Sequence, residues 1–413
     1  MIVLSHRLWR SALVGLLGIV MAVSACGPSA DRSEVTMAER ACVSDFDPTH
    51  DYYPDKADIR HASNFSVSYH GHYKVLRSSM PATNWGPEIV DAVVLHRCGT
   101  PAPELEGALS DAPVVETPIQ RLATNSVASA LRLRELGHVD QIAAMPGNPF
   151  DRVLAARVEQ GTIRAISGHG APDPEVLLGL GTDVVIQFAS SLEHAEDIEH
   201  ARSLGMVGLP LLSWAERSYL GQAEWIKHHA LLVDEEGIAE DFFARVEARY
   251  RELEALVADR APVSALWATP LESDSWWVEV GNWQDEVLAA ARGRNVFTAG
   301  PGESSIVLNT ERIVEAAPRV AVWISGDPDP MSIMAPTVIR GLRPWQEGNS
   351  WHVHGRADEG RDALDWSETP LVRPDLVLEN LIAVLHPDLG LEPEVHFFSR
   401  HEATASDGGT SRD

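Results

Sequence analysis

The sequence predicts an α/β protein with two Rossmann-like lobes, each with a central parallel sheet, joined by a single long backbone helix. Three observations support this prediction. Short apolar runs alternate with helical segments between about residues 120 and 212. Residues 235–259 then carry one uninterrupted amphipathic pattern, with apolar residues recurring every three or four positions. Beyond Pro262 the alternation of strands and helices begins again.

The N-terminal segment predicts export. Two arginines, Arg7 and Arg10, precede an almost wholly apolar run from Ala12 to Val23. A run of about a dozen residues is shorter than the ~20 that span a bilayer and fits a signal peptide, here residues 1–25. Small residues followed by Cys26 resemble a bacterial lipobox, which implies cleavage before Cys26 and a lipid on its thiol. An ordinary signal peptide with a chance cysteine is the alternative.

The segment after Cys26 is predicted to be a spacer. Residues 26–44 are small and polar, as in the flexible spacer of a lipoprotein, and the mature protein is expected to lie lipid-anchored on the extracytoplasmic face of the membrane, in the periplasm or at the cell surface. Cys42 and Cys98 are then an even pair in an oxidising compartment. They form either a disulfide or two separate thiols, and the sequence does not decide between these.

The N-terminal α/β lobe is assigned to residues 45–233. A Gly71 turn between alternating strand residues predicts a hairpin, and Ser126 is placed to cap a helix that ends before Gly137. The strands and helices expected here are Phe65–Tyr69, Tyr73–Leu76, Val93–His96, Val127–Leu136, Gln141–Met145, Pro174–Leu180, Val184–Phe188, Leu192–Leu204 and Leu209–Leu212.

The linking helix is assigned to residues 234–260, the C-terminal α/β lobe to 261–398 and a disordered tail to 399–413. The buried face of the helix is predicted from six apolar positions: Ile238, Phe242, Val246, Tyr250, Leu253 and Val257. The second lobe is predicted to contain the segments Ser264–Ala268, Gln284–Ala291, Thr310–Ala316, Ala321–Ile324 and Leu376–Leu385. The tail is rich in Ser, Gly and Asp from Ala403.

Composition and missing motifs exclude several functions. The chain has 413 residues, 33 Lys+Arg and 60 Asp+Glu, and a net charge of −27, which disfavours nucleic-acid binding. The sequence has no nucleophile elbow, phosphate loop or zinc-protease helix, so we expect a binding protein and not an enzyme. Eight of the 12 tryptophans follow residue 260, which suggests a role for the second lobe in ligand binding.

Four segments in order resemble the class III solute-binding proteins of ABC importers, a family that captures iron–siderophores, haem and vitamin B12. They are residues 171–186 (APDPEVLLGLGTDVVI), 204–212 (LGMVGLPLL), 219–227 (YLGQAEWIK) and 310–324 (TERIVEAAPRVAVWI). Gly181-Thr182 stands where the family usually has Lys-Pro. The resemblance covers most of the mature chain and implies a monomer that meets a small-molecule metal complex, an ABC permease and its ATPase.

The resemblance also implies two docking carboxylates. In the family a glutamate on each lobe docks onto arginines of the permease, and motif position assigns these roles to Glu175 and Glu311. Two carboxylates on facing lobe tips can steer docking by charge. The alternative is that both glutamates only favour the helix N-termini on which they lie.

The ligand cleft is expected between the lobes, in the loops after the carboxyl ends of the parallel strands. Aromatic rings and an arginine there suit a large planar or aromatic anion such as a ferric siderophore. Trp225 and Trp323 are assigned to the core, and each of the other tryptophans could equally be core. The candidate ligand-binding residues are Thr124, Asn125, Gly147, Phe188, Ser190, Trp214, Trp276, Trp277, Arg343 and Trp345.

No resident metal or cofactor is expected. His352 and His354 alternate on one segment, as do His70 and His72, but a His-x-His pair without a third ligand usually lies on a solvated strand or loop. The principal hypothesis is a lipid-anchored protein that delivers a ferric siderophore to an ABC importer. The alternatives are a cobalamin- or haem-binding protein of the same fold, or a ligand-sensing lipoprotein that feeds no transporter.

Overall fold

The computed structural model describes residues 42–82, 87–168 and 170–402. The predicted signal peptide, Cys26, most of the spacer and residues 403–413 lie outside this part of the chain. The strands are, in chain order, β1 (Phe65–His70), β2 (Tyr73–Met80), β3 (Ile89–Arg97), β4 (Val114–Thr117), β5 (Leu122–Thr124), β6 (Ile142–Pro146), β7 (Arg164–Ile166), β8 (Val184–Phe188), β9 (Val207–Leu211), β10 (Val263–Leu271), β11 (Ser275–Val278), β12 (Gly293–Asn295), β13 (Ile306–Asn309), β14 (Val322–Ser325), β15 (Ser350–His352), β16 (Ala357–Asp358), β17 (Ala363–Leu364) and β18 (Ser399–Arg400).

The α-helices alternate with these strands and cover both lobes. They are α1 (Val127–Glu135), α2 (Arg152–Glu159), α3 (Pro174–Gly179), α4 (Leu192–Ser203), α5 (Tyr219–Val233), α6 (Glu236–Val257), α7 (Trp283–Ala290), α8 (Thr310–Ala316), α9 (Pro330–Ile333), α10 (Pro336–Gly341), α11 (Arg343–Gln346) and α12 (Pro374–Leu385). Ser126 caps α1 as predicted, because its side chain accepts a hydrogen bond from the Ser129 N–H.

The first lobe contains a five-stranded parallel sheet in the order β7-β6-β5-β8-β9. Its central strands are short runs of buried apolar residues, as expected when helices cover both faces. A second, four-stranded sheet in the order β1-β2-β3-β4 precedes it, and its first two strands form the predicted hairpin. All parallel strands of the five-stranded sheet therefore end at one edge.

The second lobe contains a seven-stranded mixed sheet. Strands β12, β10, β14 and β15 are parallel, whereas β11 pairs antiparallel with β10 and β13 pairs antiparallel with β11. The last strand corrects the predicted start of the tail at residue 399. Ser399–Arg400 forms β18 against β15, and the His401 ring bonds Ser350 and Asp327, so residues 399–401 are held against the second sheet.

The linking helix is confirmed as α6, but two of the six positions predicted for its buried face are wrong. Val246, Tyr250, Leu253 and Val257 are buried as expected. In the first turns the buried residues are Ala239 and Phe243, and Ile238 is exposed. The six-residue pattern fails here because Glu236, which faces inward to pair with Lys74, sets the rotation of the N-terminal end.

Helix α5 was not predicted, although all 15 of its residues are buried. It has no amphipathic stripe because other elements cover every side. Its charged groups are satisfied internally. The Glu224 carboxylate accepts hydrogen bonds from the backbone N–H groups of residues 60–62 and pairs with Lys227 at 2.9 Å. Burial alone would raise the pKa of Glu224, but these donors hold it below its usual value.

A buried ion cluster joins the four-stranded sheet to the α5–α6 junction. Lys74 Nζ lies 2.7 Å from Asp234 and 2.6 Å from Glu236, and Arg97 reaches Asp234 at 2.8 Å. Burial opposes the charge on Lys74, but the two carboxylates raise its pKa above the usual value. Removing one member would strand a buried charge, which costs about 3–5 kcal/mol. Cys98, which directly follows β3, and Cys42 are both disulfide-bonded.

One hydrophobic core crosses both lobes. It includes Leu95 of the four-stranded sheet, Ile186 of the first parallel sheet, Trp225 of α5, Ile324 of the second sheet and Leu381 of α12. A smaller core lies on the other face of the second sheet and contains Trp276 and Trp323. Trp225 and Trp323 are therefore core residues, as predicted. The shared core means that the lobes cannot separate widely without exposing apolar surface.

The buried His228 makes the free energy of unfolding depend on pH. Its ring is fully buried between Trp225 and Phe65, and neither ring nitrogen has a hydrogen-bond partner within the described residues. Burial, together with the Arg132 charge, lowers the pKa of His228 to about 3. Because the folded pKa lies below the unfolded value of about 6.5, this contribution is complete above pH 6.5 and is lost as the pH falls.

We predict that His228→Phe is more resistant to acid than the wild type. Between pH 7 and pH 5 the wild type should lose about 2 kcal/mol of unfolding free energy through this histidine, and the variant should not. Urea unfolding at several pH values measures the difference. His70→Phe, at an exposed hairpin position, should follow the wild-type curve. Parallel curves for wild type and His228→Phe would contradict the assignment.

Candidate functional site

The carboxyl edge of the first sheet brings four candidate residues together. Phe188 ends β8 and is 36% exposed, and its ring centroid lies 5.5 Å from that of Trp214. The Trp214 indole N–H donates to the Ala189 carbonyl, which fixes the ring beside the strand end. Asn125 and Ser190 lie in the loops that follow β5 and β8. This edge therefore presents two neighbouring aromatic rings with neutral polar groups.

Asn125 positions this edge. Its side-chain oxygen accepts a hydrogen bond from the Phe188 N–H at 2.9 Å, and its side-chain N–H donates to the Gly170 carbonyl. The adjacent candidate Thr124 is corrected: it is fully buried, and its hydroxyl oxygen accepts from the Ser126 N–H within the turn before α1. Thr124 therefore shapes the loop and presents no surface to a ligand.

His194, which the sequence analysis missed, belongs to this edge. Its ring packs edge-on against Phe188 at 5.6 Å, and its Nδ1 accepts a hydrogen bond from the Ser190 N–H at 3.2 Å. A neutral imidazole that accepts at Nδ1 carries its proton on Nε2. The ring is therefore set to donate a hydrogen bond from Nε2. The sequence signal was Ser190-Ser191 three and four residues before a histidine at a helix start.

The loop after β6, which contains the candidate Gly147, meets the second lobe. Residues 356–368, which we call the strap, leave the second sheet after β15, form the β16–β17 hairpin and return to α12. Glu368 of the strap accepts hydrogen bonds from the N–H groups of Phe150 and Asp151. Burial, with the nearby Asp365 and Asp151 charges, raises the pKa of Glu368 to about 7, although these two N–H donors oppose the rise.

In the second lobe Trp276 is corrected from cleft to core. The side chain is 0% exposed, its indole N–H donates to the Thr310 hydroxyl at 3.0 Å, and its ring packs against Trp323. The cause is strand alternation, which points neighbouring residues of β11 to opposite faces. Trp277 takes the other face, is only half-buried and lies opposite Thr269 near the end of β10. Of this pair, Trp277 remains a ligand candidate.

Arg343 and Trp345 are also displaced from the predicted edge. The Arg343 guanidinium bonds the Pro318 carbonyl and pairs with Glu347. Since Pro318 precedes β14, Arg343 lies at the amino end of that strand, opposite the carboxyl edge. Trp345 packs on the smaller core, with its ring 5.4 Å from His401 and 6.3 Å from Trp323. Neither residue is placed to contact a ligand at the strand ends.

An aromatic column joins the lobes. Tyr219 at the start of α5 stacks on Trp283 at 4.4 Å, Trp283 lies 6.1 Å from Trp366, and Trp366 lies 6.0 Å from Trp267. The sequence analysis did not single out Trp283 or Trp366. Their spacing gives no periodic signal, because each is the first large residue of a short element. Part of the tryptophan excess therefore builds the joint between lobes and does not face a ligand.

Arg132 adds a buried positive charge near this joint. The side chain is fully buried and donates to the carbonyls of Gln222 and Leu371, one from each half of the chain. Burial lowers its pKa to about 9. Its Nε and Nη1 atoms find no hydrogen-bond partner within the described residues. The arginine ties α1 and α5 to the segment before α12.

The two predicted docking residues are exposed at equivalent places. Glu175 lies in the first turn of α3, which follows β7, and Glu311 lies in the first turn of α8, which follows β13. Both helices begin at the carboxyl edges of their sheets, because Asn309 of β13 neighbours Ser275, which neighbours Leu271 at the end of β10. This geometry is compatible both with docking and with simple helix-end stabilisation.

Histidine pairs and a surface cavity complete the survey of candidate sites. Burial, with His401 and His354 nearby, lowers the pKa of His352 to about 4. Among the described residues no cluster of three or more His, Cys, Asp or Glu could hold a metal ion. A cavity of about 550 Å³ lies between α6 and α12, where Arg249 pairs with Glu379 and Arg373 with Asp375. It is not at a strand edge.

None of the helices within 42–402 that the structure describes is long and apolar enough to cross a bilayer.

Comparison with known proteins decides the family. Residues 122–337, just over half of the chain, match the periplasmic binding protein family. The chain belongs to this family. Its members are solute-binding proteins and not enzymes, which agrees with the missing catalytic motifs. The resemblance to class III binding proteins drawn from the four sequence segments is confirmed.

Individual relatives are distant. An uncharacterized lipoprotein of Methanocaldococcus jannaschii is 21% identical over 247 residues, which span 59% of this chain and 57% of that protein. A periplasmic heme binding protein from Pseudomonas aeruginosa superposes with a TM-score of 0.52 at 14% identity, covering 69% of this chain and 99% of that chain. A protein of an ABC-type Fe³⁺-hydroxamate transport system from Saccharomonospora viridis gives 0.50 at 18% identity, covering 65% and 94%. These structures share the two-lobe fold.

The corrected placement of the aromatic residues predicts losses of stability of different size for two substitutions. Trp276→Ala should lower the unfolding free energy by about 3–5 kcal/mol, because it empties a filled core site. Phe188→Ala should lower it by less than about 1 kcal/mol, because the ring is already exposed. Denaturant unfolding of both variants measures this. Equal losses would contradict the division into core and edge.

Proposed function

We propose that this protein is a lipid-anchored extracytoplasmic binding protein that captures a ferric siderophore between its lobes and delivers it to an ABC importer. Family membership supports solute binding, and the lipobox at Cys26 supports the anchor. The observation that carries the ligand assignment is the edge formed by Phe188, Trp214, Asn125, Ser190 and His194. An exposed Phe188 ring and a half-buried Trp214 ring beside hydrogen-bonding groups suit a bulky organic chelate better than a bare ion.

The orientation of His194 favours a chelate with accessible oxygen atoms. A histidine that donates from Nε2 can bond a hydroxamate, carboxylate or carbonyl oxygen, but it has no Nε2 lone pair for a metal ion. A siderophore offers such oxygens around its iron. The neighbouring Phe188 and Trp214 rings would contact the organic part of the chelate.

Haem or cobalamin is the second candidate, because the Phe188 and Trp214 rings could also stack on a planar macrocycle. In that case His194 would hydrogen-bond a carboxylate or amide of the ligand periphery, and the axial position of the metal would be filled from elsewhere. The two candidates differ in colour, so they can be separated optically.

We predict that protein purified from its own host carries a siderophore charge-transfer absorption band. The visible spectrum before and after denaturing extraction is the measurement. A Soret band or a corrin spectrum would assign haem or cobalamin and overturn the siderophore. Release of a chemically altered ligand after incubation would argue against simple binding.

We predict that Phe188→Ala and Trp214→Ala each raise the Kd for the bound chelate at least tenfold. Loss of a ring at the centre of a binding surface typically costs more than about 1.4 kcal/mol of binding free energy. Titration monitored by tryptophan quenching suits Phe188→Ala, and calorimetry suits both. Tyr73→Ala, on the N-terminal hairpin, is the control and should bind like the wild type. Unchanged binding by both edge variants would place the ligand elsewhere.

Delivery would use Glu175 and Glu311, whose exposed carboxylates can meet arginines of a permease. We predict that the double variant Glu175→Ala/Glu311→Ala binds ligand normally but supports markedly less uptake. Labelled-chelate uptake in a strain lacking the wild-type protein tests this, with Glu315→Ala, an exposed carboxylate on the same helix as Glu311, as control. Full uptake by the double variant would show that these carboxylates do not dock.

A further inference from the structure

The strap meets the first lobe through side chains that bind backbone. The Glu368 carboxylate accepts two consecutive N–H groups, from Phe150 and Asp151, the second at 3.0 Å. Arg361 donates to two consecutive carbonyls, at 2.7 Å to Pro149 and 3.1 Å to Phe150. Four neighbouring backbone groups of one lobe are thus satisfied by two ionisable side chains of the other, and the two Arg361 bonds are charge-assisted.

The strap is itself rigidly built. Arg356 pairs with Asp365, which accepts a further bond from the Thr369 N–H, and Arg361 pairs with Asp358. The β16–β17 hairpin fixes the spacing of these groups. Arg361 and Glu368 therefore reach the loop of residues 149–151 already oriented, and little side-chain entropy is lost when they bind.

The two contacts between the lobes differ in character. Only the Tyr219–Trp283 stack of the aromatic column crosses between the lobes, because Trp283, Trp267 and the strap residue Trp366 all belong to the second lobe. Both rings of this stack are buried, and separating them would expose apolar surface to water. The strap contact is polar, and water can replace each of its hydrogen bonds if it opens. Opening at the strap is therefore cheap, whereas opening at the column is not. This arrangement is that of a hinge and a latch.

The latch lies on one side of the sheet edge. The strap contacts the loop after β6, whereas Phe188 and Trp214 follow β8 and β9 on the other side of the central strand β5. Phe188 is exposed there, and so is Leu192 at 67%. The side of the cleft that carries the aromatic rings is therefore open to solvent while the strap is bound.

We propose that residues 356–368 are a latch that sets the spacing of the lobes before ligand arrives, with Arg361 and Glu368 as positioning residues, so that ligand enters on the side of Phe188 and Trp214. The proposal rests on the proposed function of solute binding between the lobes. It assigns Arg361 and Glu368 no contact with the ligand. They affect ligand binding only by setting the distance between the carboxyl edges of the two sheets.

The first test breaks the latch. Glu368→Ala and Arg361→Ala should each speed hydrogen exchange at the Phe150 and Asp151 amides at least tenfold in the full chain without ligand, and should increase the radius of gyration in X-ray scattering. Glu368→Gln should restore slow exchange at only one of the two amides, because its side chain keeps a single acceptor oxygen in place of two. Arg260→Ala, which breaks the Arg260–Asp388 ion pair of the second lobe, is the matched control and should change neither readout.

The second test closes the latch covalently. Asn148 donates to the Asp362 carbonyl, so the double variant Asn148→Cys/Asp362→Cys brings two thiols to this contact, and mass spectrometry of the oxidised protein shows that the disulfide has formed. The oxidised variant should bind ferric desferrioxamine, haemin or cyanocobalamin, whichever the wild type binds, with an association rate within threefold of the reduced form. The latch-breaking variants should release the same probe at least tenfold faster than the wild type.

Each result decides a separate point. Unchanged exchange and scattering in both alanine variants would overturn the latch, and so would altered exchange with unaltered scattering and release. Loss of probe binding on oxidation of the cysteine pair would overturn entry beside Phe188. If none of the three probes binds the wild type, the ligand assignment fails, while the exchange and scattering measurements still decide the latch. Thermal melting identifies any variant that does not fold. If Arg361→Ala is one of them, Arg361→Lys, which keeps the charge on a single donor nitrogen, is used in its place.

Discussion

Hydrogen bonds from the backbone N–H groups of residues 60–64 to two buried carboxylates are the interaction on which the rest of the structure depends. Glu224 accepts the N–H groups of residues 60–62, and Glu216, just before α5, accepts those of Ser63 and Asn64. Helix α5 can be buried on every side only because these bonds compensate its charges. The same helix packs on the linking helix and contributes Tyr219 to the aromatic column. A local electrostatic match therefore fixes the relation between the lobes.

That fixed relation determines what kind of motion the protein can use. A core shared by both lobes, continuous with a linking helix packed along its length, resists wide opening because apolar area would meet water at ~25 cal/mol per Å². The strap adds a polar contact that opens at low cost. Capture by such a molecule needs small changes at the strap side, not a large rotation.

The sequence predicted the helices and strands whose apolar residues repeat with a regular spacing, and it missed elements that have no such repeat. Strand β8 and helix α6 were found because their apolar residues repeat, but α5 was missed because burial on all sides erases the stripe. Among the site candidates, Phe188 and Trp214 share an edge because they directly follow parallel strands. Trp276 and Trp277 could not be told apart, since register decides which faces the core. Arg343 was placed wrongly because three short helices lie between β14 and β15. Their sequence does not show at which end of β14 this arginine lies.

The displacement of Arg343 changes the ligand that the cleft is expected to prefer. With that guanidinium at the opposite end of the strand, the first-lobe edge consists of Asn125, Phe188, Ser190, His194 and Trp214, and none of them is an arginine or lysine. The protein carries a net charge of −27, which repels anions at long range. A highly anionic tris-catecholate chelate would lack the Arg343 charge at this edge and would be repelled by the net negative charge of the protein. A neutral or cationic chelate would meet the same rings and the His194 donor without that penalty.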